Sequence, residues 1–317
     1  MKSGSFSGLQ KRICEIVPNA TFMHCCSHNI NLIICDAAKS SRKVQSFFEI
    51  VQDIFNFFSS SGPRWTDLAF GEEEGTVIRK VVLKKLCATR WEARHNALYS
   101  LRMRFVDILK ALTKLQLTST KKNERDMALA LKKKLESPEF ILILCVWENI
   151  LKSMQFVSKK LQSVDLHLQQ ALDQLNTAIS DIKLMRENYD TIVDKAKKMC
   201  DSWSIPFTFH QSRERYSKLF PGEIDGDRRL TITQDNFKVT VFYPVIDTIL
   251  SQLKFRFTGL NTVCDYFRFL IPFSMISMTK ELLIRSTYDF IEKYRDDISS
   301  DFTRQIVSLQ DFFSFKG

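Results

Sequence analysis

Nine glycines and seven prolines in 317 residues leave little material for tight turns. That scarcity argues against a β-sandwich or a low-complexity chain and suits long helices, which tolerate few breakers. Long apolar runs are missing too. The longest, such as FILILCVW at 140–147, stop well short of the roughly 20 residues that a membrane span requires, so no membrane partner is expected. The opening MKSGSFSGLQKR has no apolar core and does not read as a secretory leader. The eight cysteines are scattered, mostly inside apolar segments, which argues against a disulfide framework and fits a reducing nucleus or cytosol.

What is present is ordinary for a soluble globular chain: 44% hydrophobic and 26% charged residues. The 26 phenylalanines mostly recur at helical spacing, which predicts core packing. Forty-six Lys and Arg against 36 Asp and Glu give a net charge of +10, which permits contact with a polyanion such as DNA without specifying one.

Along the chain, ATFMHCC (20–26) reads as a short strand and Ser27 as the N-cap of a helix through HNINLIICDAAKS. Phe47, Phe48, Val51, Ile54, Phe55 and Phe58 form the stripe of a second helix, ended by SSSGPRW. A loop is expected over 62–80. Thr89 with Glu92 reads as the capping box of the next helix. Helical patterns then run almost unbroken to about Trp203, with breaks near Ser119–Asn123 and at Ser137-Pro138. Residues 204–238 mix Pro, Gly and charge and read as a loop; helices resume at VFYPVIDTILSQLKFRF.

Four stretches occur in a telling order: SGSFSGLQKRI, HCCSHNINLIICDAAKSS, CATRWEARHNAL and FYPVIDTILSQLKFRF. Together they resemble hAT-superfamily transposases and their host-domesticated relatives, in particular the zinc finger MYM-type protein 1-like group, over about residues 3–260. The resemblance implies an α/β remnant of an RNase H-like core followed by a large all-α insertion, predominantly helical overall. The implied division is a partial core over 1–95, a helical insertion over 96–238 with a loop at 204–238, and C-terminal helices over 239–317 without the dimerisation segment.

In that family three acidic residues hold two divalent metals, which stabilise the attacking and leaving oxygens of phosphoryl transfer. The expected acids fall before residue 3 or past residue 317, and Asp36 lies at a non-catalytic position of the pattern. The expectation is therefore a chain truncated at both ends, without catalysis, cofactor or small-molecule substrate. Divalent metal would belong only to an intact relative. The implied partners are DNA or a second copy, and the implied location is the nucleus.

Within HCCSH, a structural zinc would need four ligands in tetrahedral array, and no partner pair lies near Cys25 and His28. A Cys/His nucleophile lacks an orienting group. The remaining reading makes Cys25 and His28 scaffold residues and a family signature. For Arg90-Trp91 the resemblance implies a Trp stacked on an exposed base and an Arg on phosphate; packing of Trp91 beneath its own helix is the competing reading. Basic clusters surround the pair: Arg79, Lys80, Lys84, Lys85 and Arg94. Others are Lys121, Lys122 and Lys132–Lys134, then Arg213, Arg215, Lys218, Arg228 and Arg229. The candidate nucleic-acid contacts are Lys84, Lys85, Arg90, Trp91, Arg94, Arg213 and Arg215. Two alternatives stand beside this: a helical interaction module with no nucleic-acid role, and an inactive gene-model fragment of a transposase.

Overall fold

A computed structural model describes residues 8–21, 25–70, 81–87, 90–161, 168–209 and 233–316. Helices dominate throughout. They are α1 (Leu9–Ile16), α2 (Cys26–Lys39), α3 (Arg42–Ser59), α4 (Gly62–Phe70), α5 (Trp91–Met103), α6 (Phe105–Thr118), α7 (Lys122–Leu135) and α8 (Pro138–Leu161). After them come α9 (Leu168–Glu187), α10 (Tyr189–Ser202), α11 (Thr233–Phe237), a π-helical turn (Lys238–Phe242), α12 (Tyr243–Arg256) and α13 (Thr258–Phe267). A 3₁₀ turn (Arg268–Leu270), α14 (Pro272–Ser277), α15 (Lys280–Lys293) and α16 (Phe302–Lys316) complete the chain.

No strand occurs among the described residues, which corrects the expected α/β start. Ala20, Thr21 and Cys25 carry no ladder, residues 22–24 lie outside the described residues, and Cys26 already belongs to α2. A single short extended segment without a partner strand cannot satisfy its backbone groups. The Asn29 amide donates to the Cys25 carbonyl at 3.0 Å, so the helix starts before Ser27 rather than at it. Two further corrections are local. The stretch ending the second helix folds at once into α4, and α5 begins at Trp91 with Arg90 in the cap position, Thr89 lying outside the described residues.

The described chain forms two compact units, residues 1–29, 160–176 and 254–317 in one and 30–159 and 177–253 in the other. These boundaries differ from 95 and 238, because residues on either side of 95 share one core. In the larger unit Phe47 meets Phe140 at 4.8 Å and Phe48 meets Trp147 at 5.0 Å. Trp203 stacks on Phe105 at 3.9 Å, and Tyr189 packs on Phe242 at 4.9 Å. All eight side chains of Phe140–Trp147 are buried, since a helix apolar on every side is stable only when surrounded. By length and composition the stretch Pro138–Lys159 is also apolar enough to cross a bilayer, yet most of it is enclosed by protein.

Helix ends explain much of the rest. Ser204, at φ 56°, follows α10 in the left-handed region. The Ile205 amide reaches the Cys200 carbonyl at 2.9 Å and the Ser204 amide reaches that of Asp201 at 3.1 Å, the pattern of a Schellman motif. The π turn precedes Pro244, whose ring would clash with the Thr240 carbonyl in a regular helix. Widening the turn relieves that clash. The smaller unit is built on aromatics: Phe290 lies at 5.4 Å from Phe267, 5.3 Å from Phe269, 4.8 Å from Tyr294 and 5.8 Å from Phe302.

Candidate nucleic-acid interface

Residues 81–87 form a non-helical segment that pairs with no strand among the described residues, and side chains hold it instead. The Lys84 amide donates to Ser100 Oγ at 3.2 Å, and the Leu86 amide donates to Gln52 Oε1 at 3.1 Å. Buried Arg104 donates from Nη1 to the Val81 carbonyl at 3.2 Å and from Nη2 to that of Leu68, while its Nε pairs with Asp107 at 2.7 Å. Leu83 is buried beneath the segment. With the backbone tied at both ends, Lys84 and Lys85 are exposed to solvent. Arg90 is exposed at the start of α5.

Trp91 and Arg94 behave differently from the sequence expectation. Trp91 is only 3% exposed, and its amide donates to Asn31 Oδ1 at 2.8 Å. Its ring is therefore not open to a nucleic-acid base. Arg94 is 9% exposed, with its guanidinium 4.6 Å above the Phe48 ring. The reason lies in the helix: Trp91, Arg94, Leu98 and Leu101 recur at three to four residues and form the inward face of α5. Packing beneath the helix, the competing reading for Trp91, is what the structure has.

Beside the segment lies a groove of about 380 Å³ whose lining includes Lys39, Gln45, Glu49, Gln52, Cys87 and Arg94. Its walls mix two cations, one carboxylate and two amides with the apolar Ala38, Phe48 and Leu86, and most of the exposed lining is apolar. No local pattern marks Lys39, Gln52 or Ser100, because each matters through where the non-helical segment comes to rest.

The remaining candidates fall elsewhere. Arg213 and Arg215, with Lys218, Arg228 and Arg229, lie outside the described residues, as do Arg79 and Lys80. Lys132–Lys134 occupy the last turn of α7, where cations complement the helix dipole, and Lys132 also faces Glu136 at 3.8 Å. Cys25 and His28, both exposed at the start of α2, belong to the smaller unit. Burial, with the neighbouring Cys25 second, pushes the Cys26 thiol above its ordinary value. No group of three His, Cys, Asp or Glu side chains that could hold a metal ion occurs among the described residues.

No protein-family model and no solved structure matches the chain.

Proposed function

We propose that this chain is a degenerate or domesticated hAT transposase-like protein that contacts nucleic acid through its backbone phosphates, without catalysis, in the nucleus. One observation carries the contact: Lys84 and Lys85 are exposed on a braced, non-helical segment beside a groove, and Arg90 is exposed at the start of α5. Fixed cations on a rigid backbone bind phosphate at a smaller entropic cost than cations on a free loop. The four ordered stretches support the family origin, and the helical majority suits the implied all-α insertion. The α/β core remnant rests on the resemblance alone.

The test is binding of single- and double-stranded DNA across a salt series. The wild-type chain is compared with the Lys84→Ala/Lys85→Ala double variant and with Arg90→Ala. Each cation that no longer neutralises a duplex phosphate should flatten the salt slope by about 0.9. A folded wild type that binds no DNA at low salt, or variants with an unchanged slope, would overturn the reading.

A second reading has its own observation. In the smaller unit Phe273 is 85% exposed and Phe315 93%, with Phe312 at 52%, apolar rings that association would remove from water. Self-association that is insensitive to salt, followed by sedimentation, would favour an interaction module.

A further inference from the structure

The larger unit carries a second basic cavity, of about 480 Å³, that no motif marks. One face of α10 supplies Thr191, Asp194, Lys195, Lys198, Met199 and Ser202, recurring at three to four residues, and Arg102 closes it from the end of α5. Where the apolar run of α8 stops, Glu148 takes both Arg102 and Lys195, the latter at 2.9 Å, and Asn149 Oδ1 accepts from Lys195 at 2.9 Å. A single carboxylate is thus shared by two cations. Lys198 is exposed and, among the described residues, has no ion-pair partner. Asp194 also lines the cavity and faces Lys197 at 3.7 Å, so the three cations Arg102, Lys195 and Lys198 outnumber the two carboxylates Asp194 and Glu148 by one.

The donors in this cavity are all cationic. Thr191 Oγ1 donates to the Asn188 carbonyl at 2.7 Å and Ser202 Oγ to that of Met199 at 2.8 Å, so both hydroxyls are already spent as donors. Among the described residues no aromatic ring lines the space, so they offer nothing for a base to stack on. Its size falls within the range of small-ligand sites. Burial also lowers the pKa of Lys195, an unfavourable desolvation that a bound anion would relieve.

We propose that this cavity binds the phosphoryl groups of a compact polyanion, held by Lys198, Lys195 and Arg102. A free oligophosphate and a nucleic-acid backbone both present such groups, and the chemistry of recognition is the same. This inference does not depend on the groove beside residues 81–87.

The experiment is calorimetric titration of the full chain with tripolyphosphate. The wild type is set beside Lys198→Ala, Lys198→Glu and the Lys84→Ala/Lys85→Ala double variant, each checked for folding by circular dichroism. Lys198 is exposed and has no ion-pair partner among the described residues, so its substitution should leave the fold intact. Removing one charge-assisted hydrogen bond should weaken tripolyphosphate roughly tenfold in Lys198→Ala and further in Lys198→Glu. The double variant should match the wild type. Competition with a DNA oligonucleotide then separates the sources: displacement assigns the phosphoryl group to nucleic acid, and independent binding assigns it to a free oligophosphate. No saturable binding by folded wild type, or equal affinity in Lys198→Glu, overturns the proposal. Failure of the groove would instead appear as an unchanged DNA salt slope in the double variant, with tripolyphosphate binding unaffected.

Discussion

Replacing Trp91 by alanine should destabilise the larger unit by about 3–5 kcal/mol, read as a lower urea midpoint, because a large buried ring is removed. If instead the variant kept its stability and bound DNA more weakly, the ring would have to be a base contact after all. Cysteine reactivity gives a second check on placement. Cys25 is exposed, whereas Cys145, Cys200 and Cys264 are buried, and burial is the first cause that raises each of the three thiols. An aromatic disulfide reagent should modify Cys25 quickly in the native protein and reach the other three only on unfolding.

The helix ends and the braced segment invite substitutions of their own. Ser204 holds a left-handed conformation that glycine adopts without steric cost, at a position where Schellman motifs usually have glycine. Ser204→Gly should therefore raise stability, by about 1 kcal/mol or less once the extra freedom of the unfolded glycine is subtracted. A denaturant midpoint that falls would contradict that geometry. Over residues 81–87, Gln52→Ala removes the acceptor for the Leu86 amide. The expected cost is about 1 kcal/mol, with faster hydrogen exchange at Leu86 and no change across α8. Unchanged exchange would mean the segment is held some other way.

Raising the pH tests the larger unit as a whole. Burial pushes Cys145 from 9.0 up to about 12 and Cys200 from 9.0 up to about 11, with Asp201 adding to the latter. Above pH 9 the unfolded chain releases these protons while the folded one keeps them. Their contribution is thus complete below 9.0 and is lost as pH rises towards 11 and 12. The slope approaches about 1.4 kcal/mol per pH unit for each thiol. Lys195, lowered by burial, acts in the opposite sense up to its ordinary 10.5. Urea midpoints should fall between about pH 9 and pH 11, and Cys200→Ala should fall less steeply than wild type. A midpoint flat across that range would show that these thiols are not held protonated by the fold.

Periodicity, charge and the scarcity of breakers belong to the sequence itself, and they were enough to determine a mostly helical chain. Of the stripe Phe47, Phe48, Val51, Ile54, Phe55 and Phe58, all but the half-buried Phe55 are buried, and the break at Ser137-Pro138 ends one helix and starts the next. These signals are local: each is carried by residues within a few turns of one another. What lies on which side of a helix was decided by its neighbours in space. Arg94 looks like a surface cation in sequence, yet Phe48 covers it, and ATFMHCC looks like a strand, yet no strand occurs among the described residues and Cys26 opens α2. The non-helical segment at 81–87 and the cavity on α10 depend on side chains far away in sequence, Gln52, Ser100 and Arg104 for one and Arg102 and Glu148 for the other. Contacts at such separation are created only when the chain closes on itself, so tertiary packing alone determined where these cations gather.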